Sequence, residues 1–248
     1  MRTLKLLTLL TAAALTAPAS ASLLFLSGTI YDKVAADPDF EDPCCSGVVT
    51  GLLSNTLAAD GLPEFIAANG SGDITSAASF DNWWVDNHGA MTFTLGLAET
   101  GPDSGIYNYS SSAFFPLDDE LAGNEGRAHN YHFTLHLEGQ TSFRALDSFT
   151  FTGDDDLWVY IDGKLALDLG GVHGAASKTI SGQDLIDSLG LMADTLYDLD
   201  IFFAERHTSE SNFNITTSFR IKEVETPQPA ILGLLAMSLL GLAYARRR

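Results

Sequence analysis

Residues 153–171 read GDDDLWVYIDGKLALDLGG. Asp162-Gly163 stands between two apolar runs, and this dipeptide is the strongest short hairpin signal, because a type I′ turn needs positive φ at both central positions. A two-residue loop pairs Ile161 with Lys164, Tyr160 with Leu165, Val159 with Ala166, Trp158 with Leu167 and Leu157 with Asp168. Trp158, Tyr160, Leu165 and Leu167 then share one face, expected to be a core face, and Leu157, Val159, Ala166 and Asp168 share the other.

The aspartates ahead of the ribbon, Asp154, Asp155 and Asp156, are out of character for a strand, where Asp is disfavoured and like charges repel. If the strand continues backwards, Asp155 lies on the side of Asp168 and diagonal to it, roughly 7–8 Å away. Such a cluster either takes up protons or binds a cation. Ligation by oxygen alone on an irregular acidic loop favours a hard ion, and Ca²⁺ over Mg²⁺, because Ca²⁺ accepts six to eight irregular ligands. The alternative is that the three aspartates cap a strand end and face water.

The same alternation recurs along the chain. Met91, Phe93, Leu95 and Leu97 fall on one face of AMTFTLGL, and Tyr131, Phe133, Leu135 and Leu137 on one face of YHFTLHL. Phe149 and Phe151 share a face; Tyr197, Leu199, Ile201 and Phe203 alternate in YDLDIFF; Phe213, Ile215, Thr217, Phe219 and Ile221 do so in FNITTSFRI. Gly-rich turns at 101–105, 122–126 and 170–174 separate these runs. Half-buried strands of this kind make antiparallel sheets, so the expected fold is all-β, an antiparallel β-sandwich over residues 22–224 with short helices at Leu52–Leu57 and Asp184–Leu191.

Both ends of the 248-residue chain differ from this body. Residues 1–21 combine Arg2 and Lys5, an apolar stretch and Ala19-Ser20-Ala21, the pattern of a secretory signal peptide. Residues 225–248 hold Pro227, Gln228 and Pro229, then an apolar run over 230–245 and the terminal Arg246, Arg247 and Arg248. The run is expected to form a hydrophobic membrane helix whose basic end stays cytoplasmic, although it is short of the roughly 20 residues that span a bilayer comfortably. Five of the 13 Lys+Arg and one of the 32 Asp+Glu, Glu225, lie in these ends, which leaves eight against 31, a net −23 for the rest. Such a field repels nucleic acid and anionic lipid and attracts cations. Cys44 and Cys45, the only cysteines, are adjacent and tie no loop together; they are read as a free or vicinal pair, with cross-linking between chains as the alternative.

Two resemblances rest on these residues. The tail is similar to the PEP-CTERM sorting signal, with Pro227-Gln228-Pro229 in place of Pro-Glu-Pro, a hydrophobic stretch and terminal arginines. That implies transient anchoring in the inner membrane, an exosortase-type processing partner and delivery to the cell surface or matrix of a Gram-negative bacterium. The body resembles a fibro-slime domain, a module similar to the PA14 β-sandwich, through FDNWW from Phe80, YNYSSSAFFPLDDE from Tyr107, FTFTGDDDLWVYIDGKLALDLGGVH from Phe149 and FFAERHTSESNFNITTSF from Phe202. In PA14-like adhesins, consecutive aspartates joined by a cis peptide hold Ca²⁺, which coordinates sugar hydroxyls. The resemblance implies that Asp154 and Asp155 form this pair, with Asp156 and Asp168 as further metal candidates and an extracellular polysaccharide or glycan as partner.

Further candidates are weaker. Glu205 and His207, in AERH at the end of a strand, are candidate ligand contacts, with a Glu205–Arg206 ion pair as the structural alternative. His173 in a glycine-rich loop and Trp83, able to stack on a sugar ring, are others. His129, His132 and His136 invite a zinc reading, but without clustered cysteines or an HExxH helix they read as exposed-face histidines. No G-x-S-x-G, P-loop or zincin helix is present. A glycosidase needs carboxylates about 5–9.5 Å apart, so a tight Asp triplet has the wrong shape. The expectation is therefore an exported, non-enzymatic, Ca²⁺-dependent carbohydrate-binding or adhesive module. The alternative is a matrix component that Ca²⁺ merely stabilises, and a polysaccharide hydrolase is the remote one.

Overall fold

The computed structural model describes residues 22–223. The expected signal peptide, the sorting motif, its terminal arginines and the apolar helix over 230–245 lie outside these residues. Among the described residues no helix is long and apolar enough to cross a membrane.

The alternating runs become strands: β1 (Leu23–Asp32), β2 (Ala90–Glu99), β3 (Tyr107–Ser111), β4 (Phe133–Ser142), β5 (Ser148–Gly153), β6 (Asp156–Ile161), β7 (Lys164–Leu169), β8 (Ala176–Ser181), β9 (Tyr197–Glu205), β10 (Phe213–Thr217) and β11 (Arg220–Lys222). All pairings are antiparallel, in the order β7-β6-β9-β4-β1-β2-β3-β10-β5-β8, with β11 beside β4. The expected sandwich is thus one continuous sheet folded over on itself. Phe203 of β9 packs against Phe213 of β10 and Phe151 of β5, at 5.0 and 6.2 Å between ring centroids, although these strands lie far apart in the pairing order. The two ends of the path nearly close it: Lys178 Nζ of β8 donates to the Asp168 carbonyl of β7 at 2.9 Å.

The inward faces build one core from Leu26, Leu95, Leu135, Phe151, Val159, Ile201, Phe213 and their neighbours. A second cluster lies outside β6 and β9, where the long connection between β1 and β2 supplies Phe40, Leu52, Phe80, Trp83 and Trp84 to cover Trp158, Tyr160 and Phe202. Both faces of β6 are consequently buried. Helices are short, α1 at Ala77–Asp81 and α2 at Gly182–Leu189; the latter starts on a reciprocal Ser181/Asp184 capping box and stops at Gly190, whose φ is 67°. The helix expected at Leu52–Leu57 is absent; Leu53 and Thr56 instead form bridges to Phe65 and Lys164.

The Asp162-Gly163 turn has φ of 55° and 65°, as a type I′ turn requires. The register beyond it differs from the simple count. A bulge between Val159 and Tyr160 puts Val159 opposite Leu167, Trp158 opposite Asp168 and Leu157 opposite Leu169. One extra residue, Ala166, sits on the β7 side, which moves Asp168 to the Trp158 face.

Candidate functional site

The chain crosses between the two folded-over parts of the sheet at Asp154 and Asp155, because β5 pairs with β10 and β8 whereas β6 pairs with β7 and β9. Gly153 makes the crossing possible: a Cβ there would lie 2.3 Å from the Asn212 carbonyl oxygen. The Asp154–Asp155 peptide is cis.

Alternation along β6 and β9 then sorts the charges. Leu157 and Phe203 point into the main core, while Trp158 and Ala204 point into the second cluster. By the same period of two, Asp155 and Glu205 belong on the first side and Asp156 and Arg206 on the second. Arg206 is fully buried and spends its guanidinium there. Nε donates to Asp156 Oδ2 at 2.6 Å, the terminal nitrogens donate to the carbonyls of Asp39, Asp73 and Gly72, and the plane lies 4.8 Å from the Trp83 ring. Asp156 therefore belongs to an internal ion pair.

Three carboxylates remain on the other side. Asp154 accepts from the backbone N–H of Asn212 and from its side-chain amide, the latter at 2.9 Å. Asp155 accepts from the backbone N–H groups of His173 at 3.2 Å and Arg206 at 3.1 Å. Glu205 is 1% exposed; the Ser211 hydroxyl and the His207 N–H lie beside its carboxylate, but neither oxygen makes a hydrogen bond of normal geometry among the described residues. Burial, aided by Asp155, pushes the Glu205 carboxyl well above the usual carboxylate range. Burial likewise pushes Asp155 up to about 7, against the pull of Arg206 and with Asp156 and Asp154 adding to it. Ionised together, Asp155 and Glu205 need a counter-cation; without one, burial favours their protonated forms.

Asp154 and Asp155 line an open cavity of about 430 Å³ together with His173 and His207. His173 donates Nδ1–H to the Gly174 carbonyl at 2.9 Å, which leaves a lone pair on Nε2, and that atom has no partner among the described residues. His207 Nε2 stands 3.6 Å from Glu41 Oε2. The donor type suits a hard cation, since oxygens dominate, but Asp154 and Asp155 alone of the three carboxylates line the cavity, and the three do not bring ligand atoms within 4.8 Å of one another.

Three sequence-level candidates leave the site: Asp156, a metal candidate, is committed to Arg206, and Asp168 and Trp83 face elsewhere. Asp168 does not join the aspartate rim; the bulge turns it to accept from Trp158 Nε1 at 3.0 Å and the Gly51 N–H at 2.7 Å. Trp83 is 1% exposed inside the second cluster, where Nε1 donates to Asp39, and it offers no face to a sugar. The Glu205–Arg206 ion pair is also not formed, because adjacent strand residues point to opposite faces. His132 is not an exposed-face residue: it is buried between Glu125, 2.7 Å from Nδ1, and Glu41, 3.0 Å from Nε2. Sequence reasoning missed Asn212. Its signal lies in the pairing: Phe213 opposes Gly153, so the antiparallel register carries Asn212 to Asp154.

Comparison with known proteins gives relatives that extend beyond this chain. Protein psiC of Dictyostelium discoideum is 39% identical over 226 residues, covering 82% of this chain and 42% of psiC. Protein psiD of the same organism is 35% identical over 213 residues, covering 79% of this chain and 41% of psiD. The chain thus spans less than half the length of these relatives. Among solved structures, the PA14 domain of the MpAFP antifreeze protein overlays loosely, with a TM-score of 0.38, 12% identity and coverage of 88% of this chain and 100% of that one. Residues 117–230, which include β4 to β11 and every member of the aspartate rim, match the family model of the PA14 domain.

Proposed function

We propose that residues 22–223 form a non-catalytic PA14-type module of the fibro-slime kind that binds a saccharide through Ca²⁺, in a protein exported to the cell surface or extracellular matrix. The observation that carries this reading is the set of Asp154, Asp155 and Glu205, three buried carboxylates with Arg206 turned away to Asp156. A divalent cation held by Asp154 and Asp155 offsets the charge excess to which the buried Glu205 adds. Asp154 and Asp155, which line the cavity, are the ligands, Glu205 a buried counter-charge behind them, and Asn212 the residue that orients Asp154.

The ion's chemistry here is to lend coordination positions to ligand hydroxyls. The chain's own part is to hold the carboxylates: His173 N–H and Arg206 N–H fix Asp155, and Asn212 fixes Asp154. The open cavity beside the pair supports recognition over mere stabilisation, since a purely structural ion needs no access to solvent. Delivery rests on the signal-peptide and PEP-CTERM resemblances of residues 1–21 and 225–248.

A glycan array with Ca²⁺ and with chelator tests the reading. Binding of at least one saccharide class that disappears with chelator is expected. Binding unchanged by chelator contradicts the role of the ion, and a Ca²⁺-dependent rise in melting temperature with no glycan bound would favour the matrix-component alternative.

A further inference from the structure

The cavity has a wall that this reading does not use. Cys44 and Cys45 are disulfide-bonded to each other and both are exposed. Cys45 lines the cavity beside Val172, and the two sulfurs and a ring nitrogen of His207 lie within 4.8 Å of one another. Closing a ring between neighbours removes almost no freedom from the unfolded chain, so global stability does not explain the bond.

The segment bearing it is held rigidly against the site. Asp73 Oδ2 accepts from the N–H groups of Cys45 at 3.0 Å and Ser46 at 2.7 Å. Gly47 N–H donates to the Val172 carbonyl at 3.0 Å and Val49 N–H to that of Gly170 at 2.7 Å. Gly171, at φ +94°, lets the two backbones touch, since a Cβ there would meet the Gly47 carbonyl oxygen at 2.4 Å. The next residue beyond this stitch is His173, whose N–H holds Asp155. The sulfur ring therefore has a fixed position relative to the carboxylates. It offers a polarizable surface with no hydrogen-bond donor, unlike the carboxylates, histidines and hydroxyls around it.

We propose that the Cys44–Cys45 disulfide is a specificity-determining contact of the cavity, packing against the C–H face of a pyranose whose hydroxyls reach the Asp154–Asp155 side. This rests on the saccharide-binding reading above. A dithiol reductant removes the contact: it delivers two electrons and two protons, the Cys44–Cys45 bond breaks to two thiols, and the reductant leaves as its own disulfide.

The test uses the full chain with saturating Ca²⁺ and the saccharide that binds best on the array. Affinity is measured for the oxidised protein, the protein reduced with dithiothreitol, and Cys44→Ser/Cys45→Ser, each alongside the Ca²⁺-induced rise in melting temperature. The expected result is about a tenfold or greater loss of saccharide affinity in both altered forms, with the Ca²⁺ shift intact. Unchanged affinity overturns the proposal while leaving Ca²⁺-dependent binding standing. Loss of the Ca²⁺ shift on reduction also overturns it, because the bond would then act through the ion site. If the oxidised protein binds no saccharide, the parent reading fails and this proposal with it.

Discussion

Two acidic clusters sit close together in this protein, and they are balanced differently. Around His132, the carboxylates of Glu41 and Glu125 face an imidazole lodged between them and the Arg127 guanidinium, 3.2 Å from Glu41 and 3.3 Å from Glu125. At the rim, no cationic side chain among the described residues forms an ion pair with Asp154, Asp155 or Glu205, since Arg206 is committed to Asp156 and only its field reaches Asp155. The effect on the acids is opposite. At Glu41 burial opposes the charge, but hydrogen bonds from His132 and Thr208 outweigh it and hold the carboxyl below its usual range. At Glu205 burial prevails and the neighbouring Asp155 reinforces it. A cluster that carries its own cation and hydrogen-bond donors holds loops together; one without a cation is a socket for an ion.

The largest expected effect tests where the balance ends. Arg206→Met leaves Asp156 buried without its partner and frees three backbone carbonyls, so it should lower stability by about 3–5 kcal/mol, read by chemical denaturation. His132→Gln removes a buried hydrogen-bonding centre and should cost about 1–3 kcal/mol without changing Ca²⁺ affinity. A large loss of Ca²⁺ affinity in that variant would mean that the two clusters act as one.

A pH series sharpens the contrast. Asp155 ionises near 7 in the folded chain against 3.8 ordinarily, so between those values the unfolded chain has already released a proton that the folded chain retains. Stability without Ca²⁺ therefore falls as pH rises through this window, relative to Asp155→Asn, which lacks the group. The stabilisation given by added Ca²⁺ runs the other way and grows as pH rises, because the ion requires the ionised carboxylate. Melting temperatures at pH 5 and 8, with and without Ca²⁺, decide it; identical slopes for wild type and variant would remove Asp155 from the account. The smallest effect is expected from Asp168→Asn, which keeps an acceptor for Trp158: under about 1 kcal/mol in stability and unaltered Ca²⁺ binding.

Much of this was legible in the sequence, for specific reasons. The period-two runs set β2, β4, β5, β9 and β10, and the Asp-Gly turn set the hairpin, because each signal is local. The bulge at Val159 has no local signature, so the count from the turn placed Asp168 on the wrong face. Trp83 misled because an aromatic pair reads alike in a core and at a sugar platform; only the long connection's packing on Trp158 separates the two. The adjacency of Glu205 and Arg206 suggested a pair that strand alternation forbids, and Asn212 became visible only through the pairing of β10 with β5. The rim itself was readable from three consecutive aspartates, whereas its charge excess depends on Arg206 arriving from a distant strand on the opposite face.

The central claim is that Asp154, Asp155 and Glu205 form an unbalanced carboxylate set completed by Ca²⁺. Calorimetric titration of the chelator-treated chain with Ca²⁺, beside Asp155→Asn and Glu205→Gln, tests it most directly. One ion per chain with a dissociation constant of about 10⁻⁴–10⁻³ M or tighter, lost in Asp155→Asn and weakened in Glu205→Gln, is the predicted result. Binding of equal strength in all three proteins, or no binding to the unaltered chain, would contradict it.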